Sequence, residues 1–433
     1  MSEFTIVGLV GIAVLLLLFF TRLAVAYAMA IVGFAGYWYL TNMRAALTLL
    51  SRDFYDIFSS YGLALVPLFV FMGFIAFYSG VSQKLYAMAY KLMGRVRGGL
   101  AMATIGACTA FGAICGSTTA TAATMGTIGL PEMKRYRYGD RLATGCVAAG
   151  GGIGVLMPPS VILIIYGILT QLSIGKLFIA GILPAFLIAA LFLVAIYIYC
   201  LIYPEQGAKG ESFSLGVRIK AVLEIWETIL VFFVVMGGMF FGFFTPTRAG
   251  AVGAFSLLVI AVAQKKLSWK NFLNAIYDTL KTSCMVIMLV AGATIFGHFL
   301  ALTRIPMEGA AMVANLDCPP WMVIAVICLI YLVGGCFIDA LALITLTIPI
   351  FYPIVSNLGY DLIWFGVIIV LITQMGIITP PVGVNVYIVK GIAKDTPLEE
   401  IFMGVLPFLI ALIIGTGIMI AFPSIATFLP DLI

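Results

Sequence analysis

Asp339 stands in the apolar stretch FIDALALITL. A carboxylate at bilayer depth is costly to bury, so it is by default a functional residue that binds a cation or a proton. Stepping back 222 positions (339 − 222 = 117) lands on Ser117, within Gly116-Ser117-Thr118-Thr119. Hydroxyl oxygens replace the carboxylate there. Near each of these groups lies a double proline in a long apolar run: GGGIGVLMPPS at Gly150–Ser160 and GIITPPVG at Gly376–Gly383. Proline lacks the N–H and clashes with the preceding turn, and glycine loses the most backbone entropy. The four glycines and two prolines of the first stretch are therefore expected not to continue a regular helix.

A broken backbone at bilayer depth survives only where it is packed in protein or lines a polar cavity. Carbonyls freed over Gly154–Ser160 and Gly376–Val382 suit a hard cation, which wants several oxygens. Half-helix N-termini in the same region present N–H donors and positive dipole ends, which suit an anion. Interrupted helices at corresponding places in two halves are a pointer to a transport site. A sodium-coupled carrier for an anionic solute follows. Proton coupling through Asp339 is the other functional reading, and an Asp that only bonds backbone is the structural one. Two proline kinks with a packing role are the structural reading of the breaks. Hydroxyls of Thr118–Thr124 can back-bond to their own helix. The lone histidine, His298, is read as packed or carbonyl-bonded.

The elements that must position these groups are membrane helices. Of 433 residues 63% are hydrophobic and 9% charged, against about 25% charged in soluble domains. The formal charge of +5 is spread through loops and forms no nucleic-acid patch. The eight cysteines show no C-x-x-C pair, so neither a disulfide framework nor a metal site follows. Ser173-Ile174-Gly175-Lys176-Leu177 lacks the rest of a phosphate-binding loop. One His, no G-x-S-x-G and no second buried carboxylate beside Asp339 argue against a hydrolase. Glu3 ahead of the first apolar run argues for a membrane helix there, not a signal peptide.

Hydropathy predicts spans near 4–20, 23–42, 61–80 and 176–203, and a basic interfacial stretch Lys84–Arg97. In the second half it predicts spans near 226–243, 247–264, 277–302 and 402–429. Interrupted helices are placed at 140–171 and 362–390. Segments 98–131 and 319–353 have small or polar centres and are each expected to end at a proline, Pro131 and Pro353. Two helices of about 15 residues reach about 22 Å each, short of a hydrocarbon core of about 30 Å. Re-entrant hairpins fit these segments better than single tilted spans.

The halves superpose in order. Pro131 maps to Pro353 and Pro158-Pro159 to Pro380-Pro381 at 222, and Asp140 to Asp361 at 221. Gly181-x-Leu-Pro184 maps to Gly404-x-Leu-Pro407 at 223, and Thr21-Arg22 to Thr247-Arg248 at 226. Residues 1–203 form one repeat, 204–225 a linker and 226–433 the second repeat. With two hairpins each half has five crossings, about ten in all, and the second half inserts upside down. With the N-terminus outside, 18 of the 23 Lys and Arg, Arg22 among them, fall on the other face. Positive-inside bias then puts both termini outside the cytoplasm.

The segments GAICGSTTATAATMGTIGLPEMKRYRYGDRLATG and AAGGGIGVLMPPSVILIIYGILTQLSIGKLFIAGILPAF, with FFTPTRAGAVGA and MGIITPPVGVNVYIVKGIA, resemble the large membrane subunit of tripartite ATP-independent periplasmic (TRAP) transporters, the DctM-type permeases. Arg248 stands where similar proteins often carry Glu after TPT. The resemblance implies an all-α, inverted-repeat, elevator-type membrane protein of the bacterial inner membrane. It implies a separate small subunit of about four spans, a periplasmic substrate-binding protein, and an organic acid as solute. Carried onto matching positions, it implies one Na⁺ site at Gly112, Ser117, Gly154, Met157 and Ser160. A second would use Gly335, Asp339, Gly376, Thr379 and Val382, mostly through main-chain oxygens. Substrate would bind between the tips, near Ser117, Thr118, Thr119, Pro158, Pro159, Asp339, Thr379, Pro380, Pro381 and Gly383. A stand-alone dimeric divalent-anion symporter is the neighbouring alternative, and a channel or scaffold protein the alternative of another class.

Overall fold

The computed structural model describes residues 3–19, 21, 23–314 and 319–432. Arg22, Phe20 at the end of the first expected span, and Cys318 lie outside the described residues. The described chain is helical throughout, with one isolated β-bridge between Arg97 and Lys209. The first half runs α1 (Glu3–Phe19), α2 (Val25–Leu40), α3 (Met43–Phe58), α4 (Leu65–Tyr78) and α5 (Val81–Met93). There follow α6 (Gly99–Cys115), α7 (Thr118–Arg135), α8 (Asp140–Leu156), α9 (Val161–Thr170) and α10 (Ile174–Ile202). The second half runs α11 (Leu215–Leu223), α12 (Trp226–Phe240), α13 (Pro246–Ala263), α14 (Trp269–Thr303) and α15 (Ile305–Ala314). It closes with α16 (Pro320–Gly335), α17 (Ala340–Asn357), α18 (Leu362–Gly376), α19 (Val384–Ile392) and α20 (Leu398–Ala421).

Six helical segments of the described chain are long and apolar enough to cross a bilayer, or seven with α3 and α4 taken as one bent span. Burial sorts them. The apolar window within Asp140–Thr170 is 89% buried, whereas that of α13 is 33% buried. Phe233, Phe255 and Tyr277 of the outer helices are about two-thirds exposed, as lipid-facing side chains are. The segment with the broken helix is thus the centre of the fold. Around it pack α6, α7, α10, α18, α19 and α20, while α2 on α14 and α4 on α13 and α14 make the outer layer.

Several expectations need correction. Gly150, Gly151, Gly152 and Gly154 are helical, and the first break is confined to Met157–Ser160. These glycines let helices touch: a Cβ on Gly151 would lie 2.6 Å from Ala122 Cβ, and one on Gly150 2.9 Å from Cys108 Sγ. Small residues at close crossings are the membrane way of packing helices. Pro131 and Pro353 lie inside α7 and α17, which run on to Arg135 and Asn357 and do not end there. The four helices of the two expected hairpins have 16 to 18 residues each, about 24–27 Å and still short of the hydrocarbon core. An unexpected helix, α3, fills the gap at Met43–Phe58 and meets the next helical run at 51°. The linker carries α11, packed on α5.

Candidate functional site

Each half brings a helix–turn–helix tip onto its own broken helix. In the first half α6 ends at Gly116, whose φ of +61° is left-handed, and Ser117 caps α7. The Ser117 Oγ accepts from the Ala120 N–H at 3.4 Å and lies 3.2 Å from Thr119 Oγ1. Thr121 Oγ1 donates to the Ser117 carbonyl at 2.7 Å. Opposite, Ser160 caps α9 by accepting from the Leu163 N–H at 3.3 Å. The elements touch through backbone. A Cβ on Gly112 would sit 2.5 Å from Gly154 Cα, and the Val161 N–H donates to the Gly116 carbonyl at 3.4 Å. Met157, Pro158, Pro159, Ser160 and Thr118 are buried, while Ser117 and Thr119 are half-buried.

The second half repeats this plan. α16 ends at Gly335, and Asp339 caps α17 by accepting from the Leu341 N–H at 3.0 Å. Ser117 and Asp339, paired by the 222-residue shift, therefore hold the same structural position, the N-cap of the second helix of each tip. α18 ends at Gly376, the break covers Ile377–Gly383, and Gly383 opens α19 with a φ of +61°. A Cβ on Gly376 would lie 2.5 Å from the Gly335 carbonyl carbon, and the Val382 N–H donates to the Cys336 carbonyl at 3.3 Å. The hydroxyl of Thr379 donates to the Met375 carbonyl at 2.6 Å. Both double-proline peptide bonds are cis.

The halves differ in exposure. Pro158 and Pro159 are buried, whereas Asp339, Pro380, Pro381 and Val382 are exposed. The two tips also cross over, α7 packing on α19 and α17 on α9. Four helix C-termini (α6, α8, α16, α18) and four N-termini (α7, α9, α17, α19) thus end at the tips and breaks. Such ends carry carbonyl oxygens and N–H groups without helical partners. The arrangement can hold a cation through main-chain and hydroxyl oxygens and an anion through N–H groups and dipoles.

Sequence reasoning missed three polar features. Gln374 and Asn385 are buried between the halves: Asn385 Nδ2 donates to the Ala148 carbonyl at 3.0 Å, and Gln374 faces Gly152. The 222-residue shift pairs Gln374 with Gly152, so two positions matched by the shift touch each other. His298 is not merely packed or carbonyl-bonded, because its Nδ1 lies 2.8 Å from Oδ2 of the buried Asp53 on α3. Glu227 is 1% exposed and bridges Lys84 and Lys266. Asp53 and Glu227 are buried carboxylates with basic partners of their own, His298 for the first and Lys84 and Lys266 for the second. Burial alone would lower the Lys84 ammonium, but its bond to Glu227 holds it above the ordinary lysine value. Burial, and then the Lys84 charge, hold Lys266 below it.

The model of the family described as "Tripartite ATP-independent periplasmic transporter, DctM component" matches residues 12–425. The C4-dicarboxylate TRAP transporter large permease protein of Pseudomonas aeruginosa is 32% identical over 372 residues, covering 86% of each chain. The sialic acid TRAP transporter large permease protein of Vibrio cholerae is 31% identical over 417 residues, covering 96% of each chain. The solved YdaH transporter of Alcanivorax borkumensis superposes with a TM-score of 0.64 at 14% identity, over 89% of this chain and 90% of that one. At that identity the likeness concerns the fold.

Proposed function

The chain belongs to the DctM component family of tripartite ATP-independent periplasmic transporters, and from that premise we propose that it imports an organic acid by sodium-coupled elevator exchange. It is a multi-pass membrane permease subunit and not an enzyme. The observation that carries the proposal is the paired backbone crossing, Gly112 on Gly154 and Gly335 on Gly376, at shifts of 223 and 222. Each crossing sets a capped tip against a broken helix.

One Na⁺ binds at Gly112, Ser117, Gly154, Met157 and Ser160, the other at Gly335, Asp339, Gly376, Thr379 and Val382. Among the described residues no group of three or more His, Cys, Asp or Glu side chains comes together, and the donor set is one of main-chain and hydroxyl oxygens with the single carboxylate of Asp339, which suits a hard ion. The carboxylate of the solute lies between the tips against the N-termini of α7, α9, α17 and α19. The solutes named for two relatives, a C4-dicarboxylate and sialic acid, support a small carboxylate as the substrate.

In this reading residues 1–203 and 226–433 are inverted repeats with about ten crossings and two re-entrant hairpins. The core of α6–α10 and α16–α20 slides against the outer helices, which rest against a separate small subunit. A periplasmic binding protein delivers the acid, and both termini of the chain lie on the periplasmic face of the inner membrane. The test is accumulation of labelled acid in proteoliposomes holding this chain, its small subunit and its binding protein. An imposed Na⁺ gradient should drive uptake, and omitting the binding protein should abolish it. Uptake without the binding protein would favour a stand-alone symporter. Uptake driven by a pH gradient alone would transfer the coupling role to protons at Asp339.

A further inference from the structure

A groove of about 570 Å³ runs between α10 and α20, far in sequence from the tips and breaks. Its walls are apolar: Val194 and Ile198 on α10 face Ile410 and Ile414 on α20, each half exposed or more. One end is polar. Arg141 at the start of α8, Tyr199 and Tyr203 at the end of α10, and Glu205 in the linker surround it.

The dimensions say what kind of molecule fits. From Met403 to Ile414 the groove follows α20 for eleven residues, about 16 Å of helix. That is roughly half of a hydrocarbon core of about 30 Å. A helix from a partner subunit would need the full thickness, whereas one leaflet is the reach of an acyl chain. The polar end coincides with helix termini, where the bilayer interface lies and where tyrosines gather.

The mouth also has a charge pattern. Arg141 holds Glu400 through Nε and Nη2, the latter at 2.9 Å. Its Nη1 makes no hydrogen bond among the described residues, and neither does the exposed Glu205 carboxylate. One guanidinium with two carboxylates repels a headgroup of net negative charge. A zwitterion complements it, with phosphate on Arg141 and ammonium on Glu205. A primary ammonium can donate hydrogen bonds to Glu205, which a quaternary one cannot.

We propose that the α10–α20 groove is a binding site for one phospholipid with a phosphoethanolamine headgroup, its acyl chain lying between the two helices. α10 and α20 carry the matched Gly-x-Leu-Pro of the two repeats, so the lipid bridges the last long helices of both halves. The proposal needs only that the chain is a membrane protein, and stands apart from the ion and solute assignment.

Native mass spectrometry of the full chain tests it. The protein is extracted from vesicles holding equal phosphatidylethanolamine, phosphatidylcholine and phosphatidylglycerol. Wild type should keep one phosphatidylethanolamine. Ala195→Trp, which fills the apolar wall, should lower the lipid-bound fraction at least about tenfold, the factor for losing the burial of roughly two methylenes. Glu205→Gln, at an exposed position, should keep the lipid but lose the preference over phosphatidylglycerol. Retention of phosphatidylglycerol by wild type, undiminished binding in Ala195→Trp, or a wild type that retains no lipid would each overturn the proposal.

Discussion

A single methyl group is the sharpest probe of the backbone crossings. At Gly112 it would meet Gly154 Cα at 2.5 Å, a main-chain atom that no rotamer change can move. Overpacking of this kind costs about 1–3 kcal/mol, and here it would be relieved by parting the tip from the broken helix. Gly112→Ala is therefore expected to cut sodium-driven uptake at least about tenfold while the protein still inserts. Gly417→Ala is the control: no atom lies within 4 Å of its added methyl, so uptake should match wild type and stability should not fall. Equal loss of uptake in both variants would refute the crossing as a site. Asp339 admits a second test at this scale. Its carboxylate bonds one main-chain N–H and is otherwise exposed. Asp339→Asn keeps a capping oxygen and removes the charge, so the protein should express normally with an apparent sodium affinity about tenfold weaker, as for loss of a charged contact of about 1.5 kcal/mol. Unchanged sodium activation would count against Asp339 as an ion ligand. Asp339 stands out in the sequence because an ionisable residue is costly in lipid, whereas Gly112, one glycine among 45, is singled out only by the family resemblance.

At the scale of elements, the buried carboxylate of Glu227 joins α12 to α5 and to the turn before α14. Lys91 and Glu224 add a second tie between α5 and the end of α11 at 3.3 Å. Removing the charge in Glu227→Gln leaves two ammonium groups facing each other without a counter-charge. The expected loss is about 1–3 kcal/mol, between the values for surface and buried pairs, read as a lower midpoint in a thermal melt in detergent. Adding Lys84→Met to Glu227→Met should recover much of it, since an apolar pair avoids the desolvation of charge. A double variant less stable than Glu227→Gln would refute this account. Hydropathy placed Lys84 in an interfacial stretch, but its partner lies 143 residues away and no local pattern announces it. For the same reason α3 was missed. Its buried face depends on α2 and α14, and its Asp53 is accommodated through His298 of α14. The glycine run was misread for the converse reason: the composition that disfavours an isolated helix is what lets α8 lie against α6, α7 and α20.

For the whole molecule, the order of most elements and the likeness of the two tips and breaks were legible, because both follow from where proline and glycine interrupt apolar runs. The crossing of α7 onto α19 and α17 onto α9, and the unequal exposure of the two breaks, were not. They belong to the three-dimensional relation of the halves. The elevator proposal makes a claim at this scale, that the core moves past the outer helices as a body. One contact between the two tests it. A Cβ on Gly297 of α14 would lie 3.8 Å from the Cβ of Pro349 on α17, which is about the mean separation across a disulfide. Neither replacement harms its helix, since cysteine is a better helix former than glycine or proline. Gly297→Cys with Pro349→Cys should cross-link on oxidation. The cross-linked carrier should lose at least about nine-tenths of its uptake, because a covalent tie of about 2 Å between sulfurs forbids sliding by even one helical turn of about 5.4 Å. Reduction should restore the rate, which separates a blocked motion from a damaged fold. Cross-linked protein that carries its acid at the wild-type rate would show that α14 and α17 travel together, and the boundary between moving and fixed bodies would then have to lie elsewhere.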